Sequence, residues 1–325
     1  MVLNIFYEEP ESDRWIAFDR YPRRLVRRLW RGRPRPGGQK RIFLNLCAGL
    51  DRIGLRYRVN DYRHARRNPR QLACIIGKPH VLDRMEWQNP ILFGAAVFSH
   101  PSEDPHLLER RPVRRVLVPG PWMKQMWKPH WDAAVAVWPV GIDSNRWCAA
   151  DETRKKFDVL LYDKVRWDHA HYENRLIEPI RRKLRDAGRT FREIRYGFYD
   201  EEEFRSALAA CRTMVFLCEH ETQGIAYQEA LASDVPILAW DRGGHWQDPA
   251  FYPGVKFAPV TSVPYWDKRC GRTFASIEQF DDAWAQFWDE NQSGRYSPRD
   301  FILDNLTLEK CARHYVAHAR ELAEA

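Results

Sequence analysis

The sequence predicts an α/β chain of two doubly wound domains, each a parallel sheet wrapped by helices on both faces. Three observations carry that prediction. Short apolar runs alternate with helical patterns along the chain. The alternation restarts at Phe157-Asp-Val-Leu-Leu-Tyr162, after a polar stretch at 143–156. The length, 325 residues, exceeds what one hydrophobic core usually organises.

Residues 2–7 read as a strand, 39–53 as a helix, and 57–60 and 72–76 as strands, with further apolar runs at 91–98, 116–118 and 133–140. In the second half, strands at 157–162, 191–196, 213–217 and 235–240 alternate with helices at 172–187, 201–210 and 225–232. Helical patterns at 276–287 and 308–324 close the chain. The domains are expected at 1–150 and 151–325, with the last helix free to pack back on the first domain. Open α/β sheets bind ligands beyond the carboxyl ends of their strands. Function is therefore expected in the loops after Tyr7, Phe98, Tyr162, Leu217 and Trp240, facing a cleft between the two domains.

Composition narrows the class. With 44% hydrophobic and 30% charged residues, the chain reads as soluble and globular, and no apolar run approaches the ~20 residues of a membrane-spanning helix. The opening residues read as a buried strand rather than a leader, so a cytoplasmic location is expected. Seven cysteines without a Cys-x-x-Cys pair or a histidine at zinc-ligand spacing are expected as reduced thiols, with no metal site. The formal charge of +8 is concentrated in Arg23, Arg24, Arg27, Arg28, Arg31, Arg33 and Arg35, a patch rather than a uniformly basic surface, and nucleic acid is not expected as a partner. Pro22 suits a first helical turn that sets Leu25, Val26, Leu29 and Trp30 opposite those arginines. Two readings of 22–35 stay open: a basic helix touching an anionic membrane surface or an acidic acceptor, and an ordinary domain helix with solvated arginines.

The residues richest in chemistry lie in Cys218-Glu-His-Glu-Thr-Gln-Gly-Ile-Ala-Tyr-Gln-Glu-Ala230. Glu219 and Glu221 sit in a loop after a strand, and Glu229 sits on the following helix. Gly224 lets the backbone approach a ligand closely, and the amides at the helix start suit a diphosphate. Carboxylates accept hydrogen bonds from vicinal hydroxyls, so one glutamate per sugar ring is chemically sensible. The bland alternative is that these acids solvate a loop and favour a helix start. Trp122, Trp127, Trp131 and Trp138 read as aromatic core or interdomain packing in preference to an acceptor platform.

The segment continues into Ala232-Ser-Asp-Val-Pro-Ile-Leu-Ala-Trp-Asp-Arg-Gly-Gly244, and the whole resembles the family-four retaining glycosyltransferases of the GT-B fold, with their Glu-x7-Glu loop and helix, buried strand and Gly-Gly loop. Gly37-Gly-Gln-Lys-Arg-Ile-Phe-Leu-Asn-Leu-Cys-Ala-Gly-Leu-Asp-Arg-Ile-Gly54 is similar to the family's first glycine loop and helix, and Trp138-Pro-Val-Gly-Ile-Asp143 to its Pro-Asn-Gly-Ile-Asp turn. The resemblance spans about 37–244. It implies a GT-B enzyme moving a sugar, with retention and without a metal or bound cofactor, from a nucleotide sugar to a glycan, lipid-linked or small hydroxyl acceptor in envelope polysaccharide or glycoconjugate synthesis. A UDP and a GDP donor are not distinguished. Carried over by residue, Glu221 approaches the donor sugar and Glu229 the ribose. The backbone of Gln223, Gly224 and Ile225 meets the phosphates, with Gly243 in the Gly-Gly loop on the same side and Gly37 and Gly38 opposite. The family's cationic pair corresponds to Lys164 and Arg166, two apart here instead of about five. The family's N-domain histidine corresponds to His100, with His80 competing. Thr222-Gln223 replaces the usual Gly-Phe and Val140 the usual Asn, marking a divergent member. A nucleotide-sugar epimerase of the same architecture and a basic surface-binding protein with a decayed nucleotide site are the rivals. A Rossmann dehydrogenase is disfavoured because no Gly-x-Gly-x-x-Gly follows either first strand.

Overall fold

A computed structural model describes residues 1–9, 38–95 and 97–324. The basic stretch 22–35 and Gly37 lie outside the described residues. Two compact units share the chain: Met1–Pro119, Trp127–Val140 and Cys311–Ala325 form the first, and Gly120–Met126 with Gly141–Lys310 form the second.

The first unit is built on a parallel six-stranded sheet in the order β2-β1-β3-β4-β5-β6. Its strands are β1 (Leu3–Phe6), β2 (Tyr57–Val59), β3 (Ala73–Ile75), β4 (Ile91–Gly94), β5 (Val113–Val118) and β6 (Val135–Val137). All residues of β1, β3 and β4 are buried, as expected where helices cover both faces of a parallel sheet. Burying each Ile, Leu or Phe of this kind contributes about 1.5–3 kcal/mol. The expected strand over 91–98 stops at Gly94. Of the last helix, Leu308–Glu324, residues from Cys311 belong to this unit. Trp138 Nε1 donates to Cys311 O at 2.9 Å, Arg115 pairs with Glu321 at 2.6 Å, and His318 Nε2 lies 3.2 Å from Val137 O.

The second unit carries a parallel sheet in the order β11-β10-β9-β7-β8. Its strands are β7 (Phe157–Asp163), β8 (Phe191–Arg195), β9 (Cys211–Leu217), β10 (Ile237–Trp240) and β11 (Gly271–Phe274). Val159, Leu161, Val215, Leu217 and Leu238 form one face of its core, against Ile177, Ile180 and Leu184 on one side and Phe280, Trp284 and Phe287 on the other. The helix expected over 172–187 is broken into His169–Tyr172, a π-helical turn Glu173–Ile177 and Glu178–Asp186. Pro179 cannot donate to the carbonyl four residues back, which is where a wider turn relieves the ladder. β11 has no sequence counterpart among the expected strands, because Gly-Arg-Thr-Phe at an edge buries only its two ends.

Both sheets run 2-1-3-4 in their own strand order, so the winding reverses between β1 and β3 in the first unit and between β7 and β9 in the second. Beyond the carboxyl ends of such a pair the loops diverge and leave a crevice.

Candidate active site

At the reversal point of the second sheet, two loops bring opposite charges together. β7 delivers Asp163, Lys164 and Arg166; β9 delivers Cys218, Glu219, His220 and Glu221. Asp163 is the anchor of the first loop. Its Oδ1 accepts from Val165 N at 3.0 Å, and its Oδ2 lies 2.6 Å from His169 Nε2 and 3.8 Å from Arg195 Nε. That turn aims Lys164 and Arg166 at the second loop.

Lys164 Nζ forms an ion pair with Glu221 Oε1, and both side chains are buried. Burial works against the ammonium charge, but Glu221 outweighs it and holds the Lys164 pKa above its ordinary value. The ammonium also lies 4.6 Å from the Tyr196 ring centroid. Glu219 is fixed differently: its Oε1 accepts from both Arg166 N and Trp167 N at 2.8 Å, and its Oε2 stands 3.7 Å from Arg166 Nε. Arg166 Nη2 donates to His220 O at 2.8 Å, and its guanidinium stacks 4.4 Å from the Trp167 ring. Trp122 Nε1 donates to Glu221 O at 2.8 Å, and Glu221 N donates to Thr261 O at 3.0 Å, so the backbone at Glu221 is held on both sides.

The chain then turns through Gly224 into the helix Ile225–Ala232. Gly224 has φ +84°, and a Cβ there would meet the Tyr227 ring at 2.1 Å, so only glycine fits the turn. Gln223 Nε2 donates to Gln228 Oε1 at 3.0 Å and Gln228 Nε2 to Gln223 O at 2.9 Å, a reciprocal pair that locks loop to helix. Glu229 is buried beside Gln228 on this helix, and burial raises the Tyr199 pKa, with the Tyr162 hydrogen bond and Lys164 opposing and the Glu229 charge adding to it.

The structure thus brings Glu221, Lys164, Arg166, Gln223, Gly224, Ile225 and Glu229 into one neighbourhood of the second unit. Gly243 lies in the loop after β10, at φ +62° with nothing within 4 Å of an added Cβ. Gly38 opens the helix Gly38–Arg52 of the first unit. His100, also in the first unit, caps the turn Pro101–Glu103: its Nδ1 accepts from Ser102 N at 3.1 Å, and Glu103 Oε1 accepts from Ser99 N and His100 N at 2.5 and 3.2 Å. Burial and the neighbouring His130 lower its pKa to about 4. His80 lies in the turn Pro79–Asp83. All four tryptophans at 122, 127, 131 and 138 are buried. All seven cysteines are free thiols, among the described residues no helix is long and apolar enough to cross a membrane, and no cluster of three His, Cys, Asp or Glu side chains is arranged for a metal ion.

Sequence reasoning missed three participants: Asp163, His220 and Arg242. His220 is buried between Trp122 and Trp167, whose ring centroids lie 5.6 and 5.0 Å away. Burial, then Arg166, Arg242 and Lys164, push its pKa down to about 3, so it is neutral. Neither ring nitrogen has a hydrogen-bond partner among the described residues, and the same holds for Arg242 Nε and Nη2 and Ser262 Oγ. A buried donor or acceptor left this way costs about 1–3 kcal/mol.

No protein-family model and no curated protein matches the chain. Solved structures do. HepE of Anabaena, solved in complex with UDP, aligns over 99% of this chain and 100% of its own at TM-score 0.57 and 7% identity. The N-terminal domain of Candida albicans trehalose-6-phosphate phosphatase aligns over 99% and 96% at TM-score 0.54 and 11% identity. AviGT4, a glycosyltransferase involved in avilamycin A biosynthesis, aligns over 99% and 98% at TM-score 0.50 and 16% identity. The chain has the GT-B fold. A GT-B fold at identities of 7–16% fixes the architecture and leaves the chemistry to be argued from the site.

Proposed function

We propose that this chain is a glycosyltransferase that moves a sugar from a nucleotide-sugar donor to a hydroxyl acceptor with retention of anomeric configuration. The observation that carries the reading is the meeting of buried Lys164 and exposed Arg166 with the buried acids Glu221 and Glu219 where the second sheet reverses, followed by Gly224 and the helix bearing Glu229. Cations there neutralise a diphosphate, helix-start amides bind its oxygens, and the two glutamates accept from sugar and ribose hydroxyls. HepE, which shares the fold, was solved with UDP and with UDP and glucose.

In this reading Glu229 binds the ribose and Glu221 the donor sugar. The Lys164–Glu221 pair holds both groups in place until the donor arrives, when the ammonium turns to the diphosphate and the carboxylate to sugar hydroxyls. The acceptor oxygen attacks the anomeric carbon on the face from which the diphosphate departs. The C–O bond to the diphosphate breaks, the acceptor C–O bond forms, and the leaving phosphate oxygen takes the acceptor proton. Positioning and charge stabilisation supply the catalysis, without a metal. A glycan, lipid-linked or small hydroxyl acceptor, a cytoplasmic setting with membrane-surface contact through 22–35, and polysaccharide or glycoconjugate synthesis complete the proposal.

A thermal-shift screen of UDP- and GDP-sugars tests it. The true donor at a hundred times its Kd stabilises the chain by about 2.7 kcal/mol, and Glu229→Gln removes most of that shift. Incubation of that donor with candidate acceptors should give a glycoside of unchanged anomeric configuration by NMR. Donor isomerised without acceptor would make the chain an epimerase, and no shift with any sugar nucleotide would end the enzyme reading.

A further inference from the structure

Arg242 stands in the loop immediately after β10. Its Nη1 donates to Tyr172 Oη at 3.3 Å, and the guanidinium carbon lies 5.9 Å from the Trp240 ring centroid. The other two donors that remain on one edge, Nε and Nη2, are buried and have no partner among the described residues. Those two N–H groups lie side by side and point the same way, and this edge of a guanidinium grips two oxygens of a carboxylate or phosphate in parallel. Tyr172 and Trp240 therefore hold the plane of the side chain, and its two-pronged edge makes no hydrogen bond to the described residues.

The neighbourhood repeats the theme. Arg242 is close enough to His220 for its charge to act on the imidazole, together with Arg166 and Lys164. His220 offers one N–H and one lone pair, and neither is used. Among the described residues of the second unit, buried side-chain nitrogens and oxygens without a hydrogen-bond partner fall on Glu219, His220, Arg242 and Ser262, and otherwise on Arg189 at the amino end of β8. Folded proteins satisfy nearly all such groups, so their concentration in the loops beyond β9 and β10 and the segment hydrogen-bonded to Asp241 marks a place where a ligand completes the network.

We infer that the Nε–Nη2 edge of Arg242 is an oxyanion-binding subsite, with the unpartnered imidazole of His220 in the neighbouring loop beyond β9. It takes two oxygens of one anionic group, supplied by a phosphate of the nucleotide or by the carboxylate of an acidic donor sugar. The inference deepens the glycosyltransferase reading and rests on it only for the molecule that carries the anion. Neutral His220 contributes an N–H without adding another positive charge to Lys164, Arg166 and Arg242. Gly243 and Gly244 follow directly, at φ +62° and +77° with open space around both.

The test is calorimetric titration of the full chain, wild type, Arg242→Lys and Arg242→Gln, with inorganic diphosphate, UDP, GDP, uridine, UDP-glucose and UDP-glucuronate. Circular-dichroism melting identifies any variant that fails to fold, and Arg242→Lys decides if Arg242→Gln does not fold. Lysine keeps the charge and loses the fork, so both variants should bind the anion about tenfold to a hundredfold more weakly. Loss on inorganic diphosphate and the nucleoside diphosphates assigns the subsite to phosphate. Loss confined to UDP-glucuronate, with UDP-glucose unchanged, assigns it to the sugar acid. Folded variants that bind every anionic probe within twofold of wild type overturn the inference, as does a wild type that binds none of them. Sugar-nucleotide binding indifferent to Arg242 sinks this subsite and leaves the glycosyltransferase reading intact. Arg242-dependent binding of inorganic diphosphate without any nucleotide binding does the reverse.

Discussion

Each unit holds a buried histidine near a strand end, and the two are used in opposite ways. His100, in the loop beyond β4, is absorbed into a capping box: Nδ1 accepts from the Ser102 amide, so the neutral ring carries its proton on Nε2. His220, beyond β9, is just as buried and also neutral, yet its ring makes no hydrogen bond among the described residues. The carboxylates just beyond the strands differ as well. Glu8 and Glu9 after β1 are met by the Tyr62 and Tyr7 hydroxyls at 2.6 and 2.8 Å and by Arg84 and Lys40. After β9, the acids share their cations with neighbouring groups that still lack partners. A satisfied network reads as structure, and an unsatisfied one reads as a place prepared for something else.

The largest test of that contrast is Glu221→Ala. It strands the Lys164 ammonium in a buried site, and the chain should lose about 3–5 kcal/mol in urea denaturation. Replacing both partners, Glu221→Gln with Lys164→Met, should recover most of the loss, because no lone charge is then buried. A loss below about 1 kcal/mol for the single variant would mean that the pair is solvated and that the second unit is no more committed than a surface loop.

A smaller effect is the pH dependence that His220 contributes. His220 has a folded pKa near 3, below its value of about 6.5 when unfolded, so the unfolded chain binds the extra proton. Its contribution is whole above pH 6.5 and is lost as pH falls from there towards 3, amounting to about 2 kcal/mol between pH 8 and pH 5. His220→Phe removes that dependence and should leave stability at pH 8 unchanged or improved, since Phe fills the space between Trp122 and Trp167 and no polar atom is left unsatisfied. If His220→Phe instead weakens the chain at pH 8 by more than about 2 kcal/mol, the imidazole has a structural partner and the contrast with His100 fails.

Much of this was legible in advance, for physical reasons. Buried parallel strands are apolar without interruption, so β1, β7, β9 and β10 stood out, and the helix Ile225–Ala232 was bounded by Gly224 on one side and Ser233-Asp234 on the other. β11 and the helix Pro298–Asn305 did not stand out, because a polar edge strand and a short half-buried helix carry little periodicity. Glu221 could be nominated from its place in the loop just past a strand end, Glu229 from its place on the helix that follows, and Lys164 and Arg166 from the resemblance to the family's cationic pair. Arg242, two residues past Trp240 in a loop beyond a strand end, could have been nominated as Glu221 was. His220 was not: its neighbours in sequence are two glutamates, and only the fold reveals that Trp122, Trp167, Arg166 and Arg242 surround it. His100 drew notice as a lone loop histidine, and its capping role depends on Ser102 and Glu103 folding back on it.

That capping role predicts the smallest effect and the sharpest control. Asparagine is among the strongest helix-capping residues and can accept from the Ser102 amide as Nδ1 does, so His100→Asn should stay within about 0.5 kcal/mol of wild type. His100→Ala leaves that amide without its acceptor and should cost about 1 kcal/mol. Neither change should alter binding of a sugar nucleotide if the ring serves only the turn. A His100→Asn variant that folds with wild-type stability but loses donor binding or turnover tenfold would return His100 to the active site and make the capping box a device for positioning it.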